Sequence, residues 1–267
     1  MTIDPLVIFL HLPKAAGSTL NRVIARHYPH TAIHRLEAKP RAELLKEVAH
    51  VARPPTPVRI VTGHAGFGLH VGIAREFTYL TVLRDPVERL LSHFHFARTL
   101  PTHPLHEGIV SGRLGLPEVA QQLSNLQTRY LIDDAMRNQS GATDAALLAN
   151  AKENLTHHFS VVGLAERFDE TLVLLQRKLG WRIATVSNSN VNRARPKLAA
   201  HSAEDLAAVR EANVLDLELY EWARGRFAAE VAAGGLAFRT ALMRLRFRGR
   251  LRSWWEATKH TVRKQRA

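Results

Sequence analysis

The apolar run Leu6-Val7-Ile8-Phe9-Leu10 passes directly into HLPKAAGSTL at residues 11–20, and this junction constrains the chain more than any other stretch. A short apolar run followed by a turn bearing Lys14 and Gly17, and then by Ser18-Thr19, predicts a buried strand, a tight turn and the start of a helix. Such a turn aims the N–H groups of the helix's first residues at an anion. In the nucleotide-hydrolysing loop G-x-x-x-x-G-K-[ST] the lysine follows the second glycine, whereas here Lys14 precedes Gly17. A phosphate cradle is expected, and the ordinary ATP or GTP reading is weakened.

Strands predicted at 6–11, 31–34, 58–62 and 77–83 alternate with helices at 18–27 and from Arg41 to Val48. Alternation of this kind predicts an α/β fold with a P-loop-like central parallel sheet flanked by helices. Further along, the pattern gives a helix over 143–155, a strand over 159–164, an amphipathic helix stopped by Gly180 and one long helix over 203–232. Residues 100–124 mix Pro, Gly and His and read as a loop or lid with a short helix at its end. Gly234-Gly235 then divides an α/β domain, residues 1–233, from a basic amphipathic C-terminal tail, residues 234–267. A chain of 267 residues is within reach of one such domain with insertions.

The second informative segment is FTYLTVL at 77–83, which runs into Arg84-Asp85-Pro86 and the helical pattern VERLLSHFHFAR. Pro86 suits a first helical turn. Arg84 then sits at the C-terminal end of a strand, where open α/β sheets bind ligands. Ser92 follows about two helical turns later.

PKAAGST after the first strand, together with RDPVERLLSHF after a later one, resembles the sulfotransferases that use 3′-phosphoadenosine 5′-phosphosulfate (PAPS). The resemblance is nearest to the 2-O-type carbohydrate sulfotransferases and their bacterial relatives. It implies that Lys14, Ala15, Ala16, Gly17, Ser18 and Thr19 bind the 5′-phosphosulfate and that Arg84 and Ser92 bind the 3′-phosphate. A Gly-His pair in the family carries the catalytic base, which assigns His64 of Val61-Thr62-Gly63-His64 to that role. Lys14 would neutralise charge on the bridging oxygen as the nucleotide leaves. The stretches at 125–131 and 159–168 also resemble family segments, read as scaffold and substrate-side elements, and Asn190-Val191-Asn192-Arg193 as a polar loop near the nucleotide. The implied reaction moves a sulfuryl group to a hydroxyl of a carbohydrate or glycolipid.

Structural readings stand beside these. Arg84 could pair with Asp85 or Glu88, Ser18 and Thr19 could cap the helix, and His70, His93 and His95 compete with His64. Two other functions stay open: a P-loop kinase with a drifted motif, and a non-catalytic basic module for membrane or polyanion.

Zero cysteines remove disulfides, thiolate metal sites and thiol nucleophiles. The fifteen histidines show no HExxH-like spacing, so no metal is expected. The N-terminal apolar run is too short for a span and lacks a basic region before it, so a cytoplasmic enzyme is expected, unlike the Golgi-anchored animal members. Net charge is +13, and residues 235–267 hold ten lysines and arginines against Glu256 alone. Aromatic and aliphatic residues interleave with these arginines. The tail can therefore lie on the anionic inner face of a membrane, capture a polyanion or remain uncommitted; no nucleic-acid partner is expected.

Overall fold

The structure, a computed structural model, describes residues 5–183 and 201–264, with side chains through residue 251. The 190–193 loop lies outside the described residues. In chain order the first half runs β1 (Leu6–Leu10), α1 (Gly17–His27), β2 (Ile33–Arg35), α2 (Arg41–Val51), β3 (Ile60–Gly63), β4 (Phe77–Leu83) and α3 (Pro86–Thr99). Four short helices follow: α4 (His106–Val110), α5 (Leu116–Gln122), α6 (Leu126–Leu131) and α7 (Asp134–Asn138). Then come α8 (Asp144–His157), β5 (Phe159–Leu164), α9 (Phe168–Leu179), α10 (Ala203–Glu211), α11 (Val214–Ala233) and α12 (Gly235–Lys264).

The five strands are parallel in the order β2-β3-β1-β4-β5. This is the α/β architecture the alternation predicts. All five residues of β1 are buried, as expected for a central parallel strand covered on both faces, and this is why its sequence is continuously apolar. From β1 the chain builds β2 and β3 on one side and β4 and β5 on the other. The direction of winding therefore reverses at β1, which opens a crevice at the C-terminal ends of β1, β3 and β4. Leu10 lies opposite both Gly63 and Thr81, so the segments after these three strands leave the sheet at nearly the same level.

The main core joins the sheet to Leu20 and Ile24 of α1, Val48 of α2, Leu155 of α8, Leu172 and Leu175 of α9, and Leu219 and Phe227 of α11. Gly180 ends α9 in the left-handed conformation (φ 67°), open to glycine at little cost. Phe238 and Leu245 of α12 are buried in the same core, and Arg246 reaches Asp169 at 3.2 Å.

Two expectations need correcting. Residues 100–124 are not a loose lid: Ile109 of α4 and Val119 of α5 pack with Ala97, and Leu116 and Ala120 pack with Leu90 and Leu91 of α3. The short helix expected at the end of this stretch is α5, while the Pro, Gly and His content masked α4, too short to show a period. The long helix over 203–232 is broken between α10 and α11. Buried Asn213 causes the break, because its side-chain amide donates to Val209 O at 2.9 Å and its Oδ1 accepts from Asn125 N at 3.2 Å.

Candidate active site

The turn after β1 holds Lys14 and Ala16 at positive φ (65° and 61°), and Ala16 is the residue before the first turn of α1. No side chain caps this helix, and its first turn has no acidic residue. Thr19 N and Leu20 N both turn back to Ala16 O, at 3.0 and 3.1 Å. The N–H groups of Ala16, Gly17 and Ser18 have no protein acceptor among the described residues. The bare amides and the helix dipole together favour an anion at this point. Ser18 is exposed there, while Ala15 and Thr19 are buried.

Gly17 is fixed by its neighbour. A Cβ at this position would lie 1.8 Å from the ring of His11, so only glycine fits beneath that imidazole. His11 escaped the sequence assignment because it reads as the end of a strand. Its ring is held through a chain in which Thr62 Oγ1 donates to Asn21 Oδ1 at 3.0 Å and Asn21 Nδ2 faces His11 Nδ1 at 3.3 Å. The amide donates in that contact, so the His11 proton resides on Nε2. Burial, with the neighbouring His64 ring, pushes the His11 pKa down to about 4, and the ring is neutral.

His64, just beyond β3, lies against His11 with ring centroids 4.1 Å apart. Its Nδ1 contacts His11 O at 2.7 Å, and since a carbonyl only accepts, Nδ1 carries the proton. In the neutral form of this exposed ring the lone pair then lies on Nε2. This is the tautomer a general base requires.

Arg84 leaves the end of β4 and donates through Nη1 to Lys14 O at 3.1 Å, which brings the two sequence motifs into direct contact. The same guanidinium meets Glu88 at 3.2 Å and lies 3.9 Å from Glu166, so part of the structural reading is realised as well. Asp85 instead caps α3, its Oδ1 accepting from Glu88 N at 2.9 Å. Lys14 Nζ lies 4.0 Å above the ring of Phe96, one turn beyond half-buried Ser92 on the same face of α3. Of the competing histidines, His93 is held well below its ordinary pKa, at about 4, mainly by burial, and His70 donates its backbone N–H to Tyr79 OH at 2.9 Å.

Sequence reading also missed the frame behind Arg84. The Gln127 side chain forms a two-point clamp on the Arg84 backbone, accepting from its N–H at 3.0 Å and donating to its C=O at 2.9 Å. Gln127 is in turn fixed by buried Asp216, which accepts from Gln127 N at 3.0 Å and from Thr128 N at 2.7 Å. Asn125 Oδ1 answers by accepting from Leu215 N and Asp216 N at 3.0 and 3.2 Å. Helices α6 and α11 thus cap each other. Arg89, fully buried and with Nε and Nη1 unpartnered among the described residues, has Asp216 as an opposing charge.

On the far side of His64 opens a cleft of about 660 Å³, lined by Arg129 and Tyr130 of α6, Arg41 of α2, and Asp134 and Arg137 of α7. No cluster of side chains suited to a metal ion occurs among the described residues, and no described helix is long and apolar enough to cross a membrane.

Comparison with known proteins gives consistent relatives. Human galactose-3-O-sulfotransferase 3 is 29% identical over 255 residues, which cover 86% of this chain and 58% of that protein. Bovine galactosylceramide sulfotransferase is 26% identical over 253 residues, with the same coverage of 86% and 58%. Zebrafish heparan-sulfate 6-O-sulfotransferase 2 is 24% identical over 325 residues, covering 97% and 67%. A solved mouse sulfotransferase, SULT7A1 complexed with PAP, is 14% identical with a TM-score of 0.42 over 79% of this chain and 63% of that one. This chain spans about three fifths of the length of the first two relatives. The motif-based resemblance holds at the level of carbohydrate sulfotransferases, and the branch whose family model matches is the galactose-3-O one. With that match running over residues 3–264, nearly end to end, the chain belongs to the galactose-3-O-sulfotransferase family.

Proposed function

We propose that this chain transfers the sulfuryl group of PAPS to a hydroxyl of a carbohydrate or glycolipid, with His64 as the general base. The observation that carries the reading is the bond from Arg84 Nη1 to Lys14 O, which joins a bare helix N-terminus to a strand-end arginine across 3.1 Å. A nucleotide with phosphates at both ends of its ribose suits that pairing. The donors fit such a ligand: the N–H groups of Ala16, Gly17 and Ser18 for the 5′ end, and Arg84 with the Ser92 hydroxyl for the 3′-phosphate. Named activities of the relatives, on galactose and galactosylceramide, support a sugar-bearing acceptor.

In this reading His64 Nε2 takes the acceptor's hydroxyl proton as its oxygen attacks sulfur, and the sulfur–oxygen bond to the 5′-phosphate breaks in line. The products are a sulfate ester and 3′-phosphoadenosine 5′-phosphate (PAP), with the proton on imidazole. Lys14 and the α1 amides oppose the charge that develops on the departing phosphate. His64→Ala should lower turnover about 10²- to 10⁴-fold, read by transfer of labelled sulfate from PAPS, with PAP affinity retained. Turnover equal to wild type would remove His64 from the chemistry.

We read α12 as a peripheral contact with an anionic membrane face, in a cytoplasmic protein. Leu236, Met243, Phe247 and Leu251 are exposed along one side of the helix, opposite buried Phe238 and Leu245, with Arg244 and Arg250 flanking them. Sedimentation with anionic but not neutral vesicles would support it. Equal sedimentation with both, or with neither, would refute it.

A further inference from the structure

We propose that the cleft beyond His64 holds the acceptor and selects a saccharide bearing an acidic group, a carboxylate or sulfate, which Arg129 contacts. The inference rests on the sulfotransferase reading and adds to it the chemical class of the acceptor.

His64 separates two spaces: on one side its ring packs on His11 above Gly17 and the bare amides of α1, and on the other it lines the 660 Å³ cleft. A hydroxyl seated in the cleft therefore lies beside the residue read as the base. The half-buried ring of Tyr130 provides a flat apolar wall suited to a pyranose face.

The cations that line the cleft differ in what already holds them. Arg41 is engaged three ways, with Asp134 at 2.9 Å, Gly66 O at 3.1 Å and Phe67 O at 2.6 Å, so it pins the segment after His64. Arg137 pairs with the other oxygen of Asp134 and donates to Ile132 O at 2.9 Å. Lys39 is matched by Glu47 at 2.9 Å. Arg129 is exposed into the cleft and has no carboxylate partner among the described residues. Asp134 is the one carboxylate among the lining residues, with Asp133 acting on Arg137 from outside the lining, so Arg41, Arg129 and Arg137 against Asp134 leave the lining two positive charges in excess. A neutral sugar would leave that field unanswered. An acidic one supplies the missing charge-assisted hydrogen bond.

Arg129 and Gln127 belong to the same short helix, α6, whose start is fixed by Asp216. One element thus frames Arg84 on the nucleotide side and presents the cleft's open charge on the other.

The test uses the full chain saturated with PAP and two probes that differ only at C6, methyl β-galactopyranoside and methyl β-galactopyranosiduronate. Dissociation constants are measured for wild type, Arg129→Ala and Arg129→Lys. The uronate should bind about tenfold or more tightly than the neutral glycoside, as expected for one charge-assisted hydrogen bond. Arg129→Ala should erase the difference while leaving the neutral affinity in place, and Arg129→Lys should restore part of it. Equal affinities in wild type, a preference that survives Arg129→Ala, or binding of neither probe would each overturn the proposal. Stabilisation by PAP is recorded alongside: if it persists, only the acidic-acceptor inference fails, whereas its absence in wild type would bring down the sulfotransferase reading beneath it.

Discussion

Helices α1 and α3 start at the same edge of the sheet, each just beyond a central strand, yet their first turns are built in opposite ways. At α3, Pro86 removes one unsatisfied N–H, Asp85 satisfies another and Glu88 adds negative charge against the dipole. At α1 there is no capping side chain, no acid and a left-handed Ala16. Other helices follow the α3 pattern, with Asp133, Thr143 and Ser202 capping α7, α8 and α10. Helices α2, α4 and α9 also lack a capping side chain, yet each carries an acid in its first turn, whereas at α1, where an anion is expected, cap and acid are both missing. Stability is forgone at α1 in exchange for a ligand site.

The sharpest way to break this contrast is to make α1 resemble α3. Ala16→Asp should cap α1 and leave the fold intact while lowering PAP affinity about a hundredfold or more, since it replaces charge-assisted hydrogen bonds with a like charge. Calorimetric titration reads it, and unaltered affinity would mean that the bare amides are not the anion site.

Acid titration probes both regions at once, because His11 over the start of α1 and His93 on α3 are each held at about pKa 4 by burial. The unfolded chain binds these protons near pH 6.5 and the folded chain only near pH 4. Stability should therefore fall as pH drops from about 6.5 to 4, on the order of 2 kcal/mol for each group. Denaturant midpoints followed across that window should lose slope in His11→Asn. An identical slope would contradict the burial argument for His11.

Gly17→Ala should cost about 1–3 kcal/mol by forcing the His11 ring aside, and should disturb the ring packed against it, His64. Thermal melts and turnover measured together check both effects. The smallest change is expected at α3, where Asp85→Ala should lower stability by about 1 kcal/mol, the ordinary value of a lost cap. A stability loss at Asp85 no larger than that of a neutral surface substitution would remove capping as the distinction between the two helices.

Much of the first motif was legible because strand, turn and helix are local and sequential. The runs 77–83 and 159–164 coincide with β4 and β5, and the contact between Arg84 and Lys14 follows from placing two strand ends side by side in a parallel sheet. The support behind them was not legible. Gln127, Asp216, Asn125 and Asn213 form one network across some ninety residues of sequence, and no period or local motif links an aspartate in α11 to the first turn of α6. His11 was hidden differently, since it lies inside the motif but acts through the shape of its ring over Gly17. The cleft charge escaped because Arg41, Arg129 and Arg137 are indistinguishable in sequence, and only their partners separate two pinned guanidiniums from an open one.

The most direct measurement is the affinity of the intact chain for PAP, for adenosine 5′-phosphate and for ATP by titration calorimetry. If Arg84 and the Lys14 turn share one nucleotide, PAP should bind about a hundredfold more tightly than adenosine 5′-phosphate, with ATP weaker than PAP. A 3′-phosphate that brings no gain in affinity would contradict the account.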